Sequence, residues 1–204
     1  MDNFPFNRLP NELKIAISRY LSPQDCARLG ASCKEDYFLT YEFGKATQDD
    51  FFNAVKRTDN KELVKQMLKS GVDPSANYNE AIKQAAIHGH TEVVELLLGD
   101  ERVDPAADDN CAIGCAAENG RTKVVELLLG DSRVDPSADD NWAIRMAAEI
   151  GHTEVVELLL GDERVDPSAQ DNGAIILAAE KGHTEVVRLL LGDPRVDPSA
   201  AEMY

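Results

Sequence analysis

The residues best able to bind a metal ion are histidines spaced along the chain. His90, His152 and His183 occupy one position of a recurring pattern, and Arg121 occupies that position once in between. Equivalent positions of a repeated unit lie in a row along a stack, so these imidazoles are not expected to converge on one ion. A histidine at such a turn is more often a structural hydrogen-bonding group. We therefore predict no metal site and no cofactor.

Cysteine chemistry is the second possibility that the sequence offers. Cys111 and Cys115 are spaced by one helical turn, Cys26 and Cys33 lie far upstream, and no CxxC spacing occurs. This usage is typical of reduced, packed thiols in an intracellular protein. The sequence also lacks the GxSxG, HExxH and phosphate-binding glycine motifs of common enzymes. These observations predict a protein that is not an enzyme.

The net charge of −16 is unevenly distributed. Within residues 1–45 the acidic and basic side chains balance, so the whole excess lies in the rest of the chain. An acidic surface argues against binding to nucleic acids or anionic membranes and permits a basic protein partner. A solvated helix face made by recurring glutamates such as Glu92 and Glu95 explains the same charge without a partner. With no secretory leader or membrane span evident, we expect a cytoplasmic protein, with the nucleus as an alternative.

The chain is dominated by an internal repeat. The segment GHTEVVELLLGDERVDPAA, from Gly89 to Ala107, returns nearly unchanged at Gly120, Gly151 and Gly182, each copy 31 residues after the last. A fixed period of this length indicates a small unit that buries its apolar face only against its neighbours. We predict five such units, the first of them degenerate. Their ranges are residues 46–76, 77–107, 108–138, 139–169 and 170–200.

Each unit has the pattern of two helices joined by a tight turn. In the run VVELLL, Glu92 and Glu95 share one side and the apolar residues cover the other. The preceding segment carries alanines at helical spacing, which let another helix approach closely. Asn110, Asn141 and Asn172 lie where an N-cap would start this first helix. The fold class is therefore predicted to be all-α.

The order of the AAxxGH turn and the VVELLL helix resembles the ankyrin repeat over residues 46–204. The family's GxTPLH segment is replaced here by DNxAI, so the projecting β-hairpin is expected to be shortened to a stub. The resemblance implies an α-solenoid that binds a target protein. Copies this uniform also resemble the ankyrin arrays of large DNA viruses of eukaryotes, for which the compartment would be the host cytoplasm.

Residues that differ between the copies are the candidates for target recognition, because stacking explains the shared ones. In the ankyrin family, the pair before the turn glycine lines the concave binding face. Trp142 and Arg145 are favoured hot-spot types and lie in one unit, although packing between units explains Trp142 and Met146 equally well. The predicted target-binding residues are Ile87, His88, Trp142, Arg145, Met146, Glu149 and Ile150.

Residues 1–45 form a separate predicted domain, since no copy of them recurs. Pro10 opens the first of three expected short helices. The Leu-Pro opening and the following Glu-Leu, Ile and Tyr-Leu-Ser resemble the F-box motif. The resemblance implies a Skp-type linker protein as partner, which ties F-box proteins to a cullin ubiquitin ligase. The implied docking residues are Leu9, Pro10, Leu13, Ile17, Leu21 and Leu29.

Two functional hypotheses follow. The first is a substrate-recruiting adaptor of a Skp/cullin/F-box-type ubiquitin ligase, which binds its target through the ankyrin repeats. The second is a non-catalytic ankyrin scaffold that sequesters a partner protein, with the N-terminal helices acting only as a cap on the first repeat.

Overall fold

The computed structural model describes residues 46–201 of the 204-residue chain. Within this range the chain is helical, without a β-strand, and ends in a 3-10 turn at Pro198–Ala201. The predicted all-α class is confirmed for these residues, whereas the predicted F-box-like helices lie outside them. The helices form five consecutive pairs: α1 (Gln48–Arg57) with α2 (Lys61–Lys69), α3 (Ala76–His88) with α4 (Thr91–Leu98), α5 (Ala107–Glu118) with α6 (Thr122–Leu129), α7 (Ala138–Ile150) with α8 (Thr153–Leu160), and α9 (Ala169–Glu180) with α10 (Thr184–Leu191).

The pairs stack in two layers, because first helices contact first helices and second helices contact second helices. From the second unit onward, the first-helix layer is filled by alanines and one isoleucine per unit, such as Ala85 and Ile82, which are fully buried; in the first unit Phe51, Phe52 and Val55 take their place. The second-helix layer is filled by Val93, Val94, Leu97 and their equivalents. Each buried valine or leucine contributes roughly 1.5–3 kcal/mol, but only where a neighbouring unit covers it. This is the α-solenoid expected from the repeat.

The last unit has no further unit on its outer side within the described residues. Ile176 and Leu177 are half-buried there, and Leu191 is 46% exposed. The partial exposure expected for these three residues is thus confirmed. None of the helices between residues 46 and 201 combines the length and the apolar character needed to span a membrane.

A left-handed turn opens the first helix of each unit from the second onward. Three consecutive residues have positive φ in each case, and all of them except Tyr78 and Gln170 are asparagine or aspartate. A left-handed backbone costs L-residues about 1–2 kcal/mol each, and asparagine and aspartate tolerate it best. The residues are 77–79, 108–110, 139–141 and 170–172.

The last asparagine of each left-handed turn binds the loop at the end of its own unit, which leads to the next one, and does not cap its own helix. Asn110 has φ 58°, far from the extended backbone of an N-cap. Its Oδ1 accepts the backbone N–H of Asp135, 25 residues on, at 2.8 Å. The expected N-cap role of this residue is therefore wrong. The same bond joins Asn79 to Asp104, Asn141 to Asp166 and Asn172 to Asp197, at 2.7–2.9 Å.

The loop between units is fixed by an arginine instead of a hairpin. Arg133 donates to both carboxylate oxygens of Asp131, at 2.9 and 2.6 Å, and thereby lowers the pKa of that carboxyl. It also donates to the carbonyls of Val103 and Leu98 in the preceding unit, at 3.0 and 2.9 Å. The stub predicted in place of the hairpin is thus a strandless loop. Arg102, Arg164 and Arg195 make the equivalent pairs.

Replacing Asn141 tests the link made by these asparagines. Asn141 is only 7% exposed, so Asn141→Ala leaves the Asp166 N–H without its partner and places alanine at positive φ. We expect the free energy of unfolding in urea to fall by about 3 kcal/mol. Asn141→Gly is the matched control: it loses the hydrogen bond but tolerates the backbone, so its loss should be about 1 kcal/mol smaller. Wild-type stability in both variants would contradict the role of this bond.

Candidate protein-binding surface

Five positions of each first helix face away from the alanine-filled core. They are residues 80, 83, 84, 87 and 88 and their equivalents in the next three units, and we call them the first-helix surface. Most of these residues are half-buried, Gly114 is buried, and the exposed ones are His88, Glu118, Ile150, Glu180 and Lys181. All seven predicted target-binding residues lie on this surface.

Trp142 packs against the preceding unit. A Cβ atom on Gly114 would lie 1.9 Å from Cε3 of the Trp142 indole, so the ring rests directly on the glycine backbone. The side chain nevertheless remains half-exposed. Trp142 therefore fills space between the third and fourth units and still presents part of its ring to a partner.

Arg145 forms its side-chain hydrogen bonds within its own unit. Its Nε and Nη2 donate to the carbonyls of Asp140 and Asp139, at 3.0 and 3.2 Å, which ties it to the left-handed turn of its own unit. Its Cδ lies 3.3 Å from where a Cβ of Gly173 would be, so its stem covers the next unit. The guanidinium is thus already oriented before any target binds.

These contacts reveal a pairing that sequence reasoning missed. The second variable position of one unit meets the first variable position of the next, 28 residues further on. In both pairs a glycine contacts a large side chain, although the glycine is in the earlier unit in one pair and in the later unit in the other: Trp142 packs on Gly114, and Arg145 covers Gly173. The sequence contains this information, because in both pairs a glycine and a large residue are separated by 28 positions.

The remaining predicted residues fall into two groups. Met146, Glu149 and Ile150 share α7 with Trp142 and Arg145, and Ile150 is 49% exposed. Ile87 and His88 lie on α3, with the third unit in between, so the structure does not bring the whole set together. Burial is the main reason that the pKa of His88 is lowered, and the neighbouring His90 lowers it further.

The row of histidines has the structural role expected for it. His152 donates from Nε2 to the carbonyl of Glu118 at 3.0 Å, and its ring covers Gly120, which has φ 66° and could not accept a Cβ there. His90, Arg121 and His183 make the equivalent bonds to Lys56, Ile87 and Glu149. Between residues 46 and 201, no three His, Cys, Asp or Glu side chains are grouped as a metal site.

A double-mutant cycle tests whether the Trp142 indole packs against Gly114. Gly114→Ala drives a methyl group into the indole and should lower the free energy of unfolding by about 2 kcal/mol. In a Trp142→Ala background the same substitution should raise it by up to about 1 kcal/mol, because alanine favours helix over glycine. Urea unfolding of the four proteins measures both effects. An equal cost in the two backgrounds would show that the ring does not rest on Gly114.

Comparison with known proteins agrees with this geometry. A family model for ankyrin repeats matches residues 51–140 and 139–201, a range that does not include the F-box-like segment. Among curated proteins, none matches the chain. Ankyrin repeats are protein-interaction modules, and the matched residues span the five helix pairs described above from α1 onward. The chain belongs to the ankyrin-repeat family.

Proposed function

We propose that this protein is a substrate-recruiting adaptor of a Skp/cullin/F-box-type ubiquitin ligase. The observation that carries the proposal is the F-box-like order of Leu9, Pro10, Leu13 and Ile17 directly before a protein-binding array. In this role the adaptor performs no catalysis, which belongs to the ligase. It works in the cytoplasm or nucleus of a eukaryotic cell.

The rigidity of the array supports a presenting role. Each interface between the described units carries an arginine bond and a second histidine or arginine bond between units, as at Arg133 and His152. Within units, bonds such as that of Asn110 fix the loop that leads to the next unit. A surface that is already ordered loses little conformational entropy when a target binds. The target is thereby held in one position relative to the rest of the chain's repeats.

The charge of the array supports a basic target. The left-handed turns of the third and fourth units expose Asp108, Asp109, Asp139 and Asp140 beside the first-helix surface. Complementary charge speeds encounter and selects the partner more than it adds affinity. At physiological ionic strength this attraction is screened beyond about 8 Å, so a basic target would sense these turns at close range.

Scarcity of lysine also fits an adaptor. Residues 77–204 contain only Lys83, Lys123 and Lys181. Lys83 is bound to Asp108 at 3.0 Å, and Lys181 lies 3.8 Å from Glu149. Few lysines near a recruited target would limit modification of the adaptor itself.

Two equally exposed apolar residues test where the target binds. Ile150 on the first-helix surface is 49% exposed and Leu191 at the end of α10 is 46% exposed. In affinity capture from eukaryotic cell extract, Ile150→Asp should lose the retained target, whereas Leu191→Asp should keep it. Both variants should unfold within about 1 kcal/mol of wild type, since neither residue is buried. Retention by Ile150→Asp with loss by Leu191→Asp would place the target on the open end of the stack.

The proposed binding to a Skp-type linker protein can be tested with purified proteins. Leu13→Asp with Ile17→Asp should weaken binding of a purified Skp-type linker more than about 30-fold, because two apolar anchors are replaced by charges. Lys14→Asp introduces the same charge at a position outside the implied docking set and should bind normally. Absence of binding by the wild-type chain would refute the adaptor. If the double variant instead lowers the unfolding midpoint of the repeats, the N-terminal helices act as a cap.

A further inference from the structure

Two sulfur atoms lie side by side on the first-helix surface of the third unit. The Sγ atoms of Cys111 and Cys115 are 3.2 Å apart, both thiols are free, and both side chains are half-exposed. We propose that this pair is a reversible redox site, in which a peroxide oxidises Cys111 and Cys115 closes an intramolecular disulfide. This inference does not depend on the proposed adaptor role.

Stacking does not require thiols at these positions. The equivalents of Cys111 are Glu80, Trp142 and Gly173, and the equivalents of Cys115 are Gln84, Met146 and Leu177. Residues of very different size and polarity are thus accepted in both places by the same fold. In residues 46–201, only the third unit puts a reactive residue at both positions, one turn apart on an accessible face.

The surroundings favour the thiolate form of Cys111 and the protonated thiol of Cys115. The hydrogen bond from Cys115, together with the charge of Lys83, lowers the pKa of Cys111 to about 7 against the opposing effects of burial, Asp108 and Glu80. The same bond, burial and the charge of Glu118 raise the pKa of Cys115. Cys111 therefore becomes a thiolate as the pH rises through about 7, while Cys115 keeps its proton. This is the condition that a nucleophilic cysteine with a resolving partner needs.

The reaction balances with hydrogen peroxide as the oxidant. The Cys111 thiolate attacks one peroxide oxygen, the O–O bond breaks, and the departing hydroxide takes a proton to become water. The resulting sulfenic acid is attacked by the Cys115 sulfur, the S–O bond breaks, and its hydroxyl leaves as water with the thiol proton. Two thiols lose two electrons in total, and the peroxide is reduced to two waters.

The product is expected to be strained and easily reduced. Cβ atoms four residues apart on a helix are separated by about 5–6 Å, whereas a disulfide needs about 3.5–4.5 Å. The first turn of α5 must therefore distort when the bond closes. Cys111 directly follows Asn110, whose side chain holds Asp135 in the loop that leads to the fourth unit. Oxidation should thus loosen the contact between the third and fourth units, and strained disulfides are the labile ones.

Alkylation rates test the activated thiolate. The tryptic peptide from Val103 to Arg121 contains both cysteines of the pair and no other, so mass spectrometry localises the label. At pH 7 we expect Cys111 of the full folded chain to react with iodoacetamide about fivefold faster than in denaturant, given its larger thiolate fraction and lower nucleophilicity. Cys115 should react more slowly folded than unfolded. Equal folded rates for the two cysteines would overturn the proposal.

Peroxide treatment tests the disulfide itself. With stoichiometric hydrogen peroxide, the Val103–Arg121 peptide should lose two hydrogen atoms in mass, and dithiothreitol should restore them. Cys115→Ser should instead stop at a sulfenic acid on Cys111 that dimedone traps, and Cys111→Ser should yield neither product. The oxidised full chain should melt at a lower temperature than the reduced chain. Oxidation of both cysteines to sulfinic acid without a disulfide would refute the resolving role.

Discussion

The whole array depends on backbone hydrogen bonds that no unit can make alone. The carbonyl of Val134 finds its donor on Arg164 of the unit after, and the carbonyl of Glu118 finds its donor on His152 of the unit after. A polar backbone group left unpaired costs about 1–3 kcal/mol. Stability is thus a property of neighbouring pairs, in addition to the apolar burial that each pair shares.

Sequence reasoning predicted the helix pairs and the partly exposed last unit, because both follow from the periodicity of the repeat. It did not predict the left-handed turns. Residue type predicts an N-cap at Asn110, yet this residue ends a run of three positive φ values and its side chain bonds a residue 25 positions away. Local propensity carries no information on such a partner. The sequence predicted the candidate surface only as a set of positions that vary between units. It did not predict which of them lie together, and Ile87 and Ile150 lie two units apart.

Packing and recognition share residues on the first-helix surface. Trp142 rests on Gly114 and keeps an exposed edge, while Arg145 is fixed by its own turn and covers Gly173. Residues immobilised in this way are suitable anchors, because a partner does not have to order them. Ile150 differs from them, because its side chain is 49% exposed.

The pairs Gly114–Trp142 and Arg145–Gly173, each of a small and a large residue, also limit how the gene can change in length. Tandem copies invite unequal recombination, in which one 31-residue unit is lost or gained. Loss of the fourth unit would set Gly114 against Gly173 and leave a hole where the indole had been. A second copy of that unit would set Arg145 against Trp142, two bulky groups competing for one space. The units are nearly identical in sequence, yet their order in the chain is fixed by the size of what each one presents to the next.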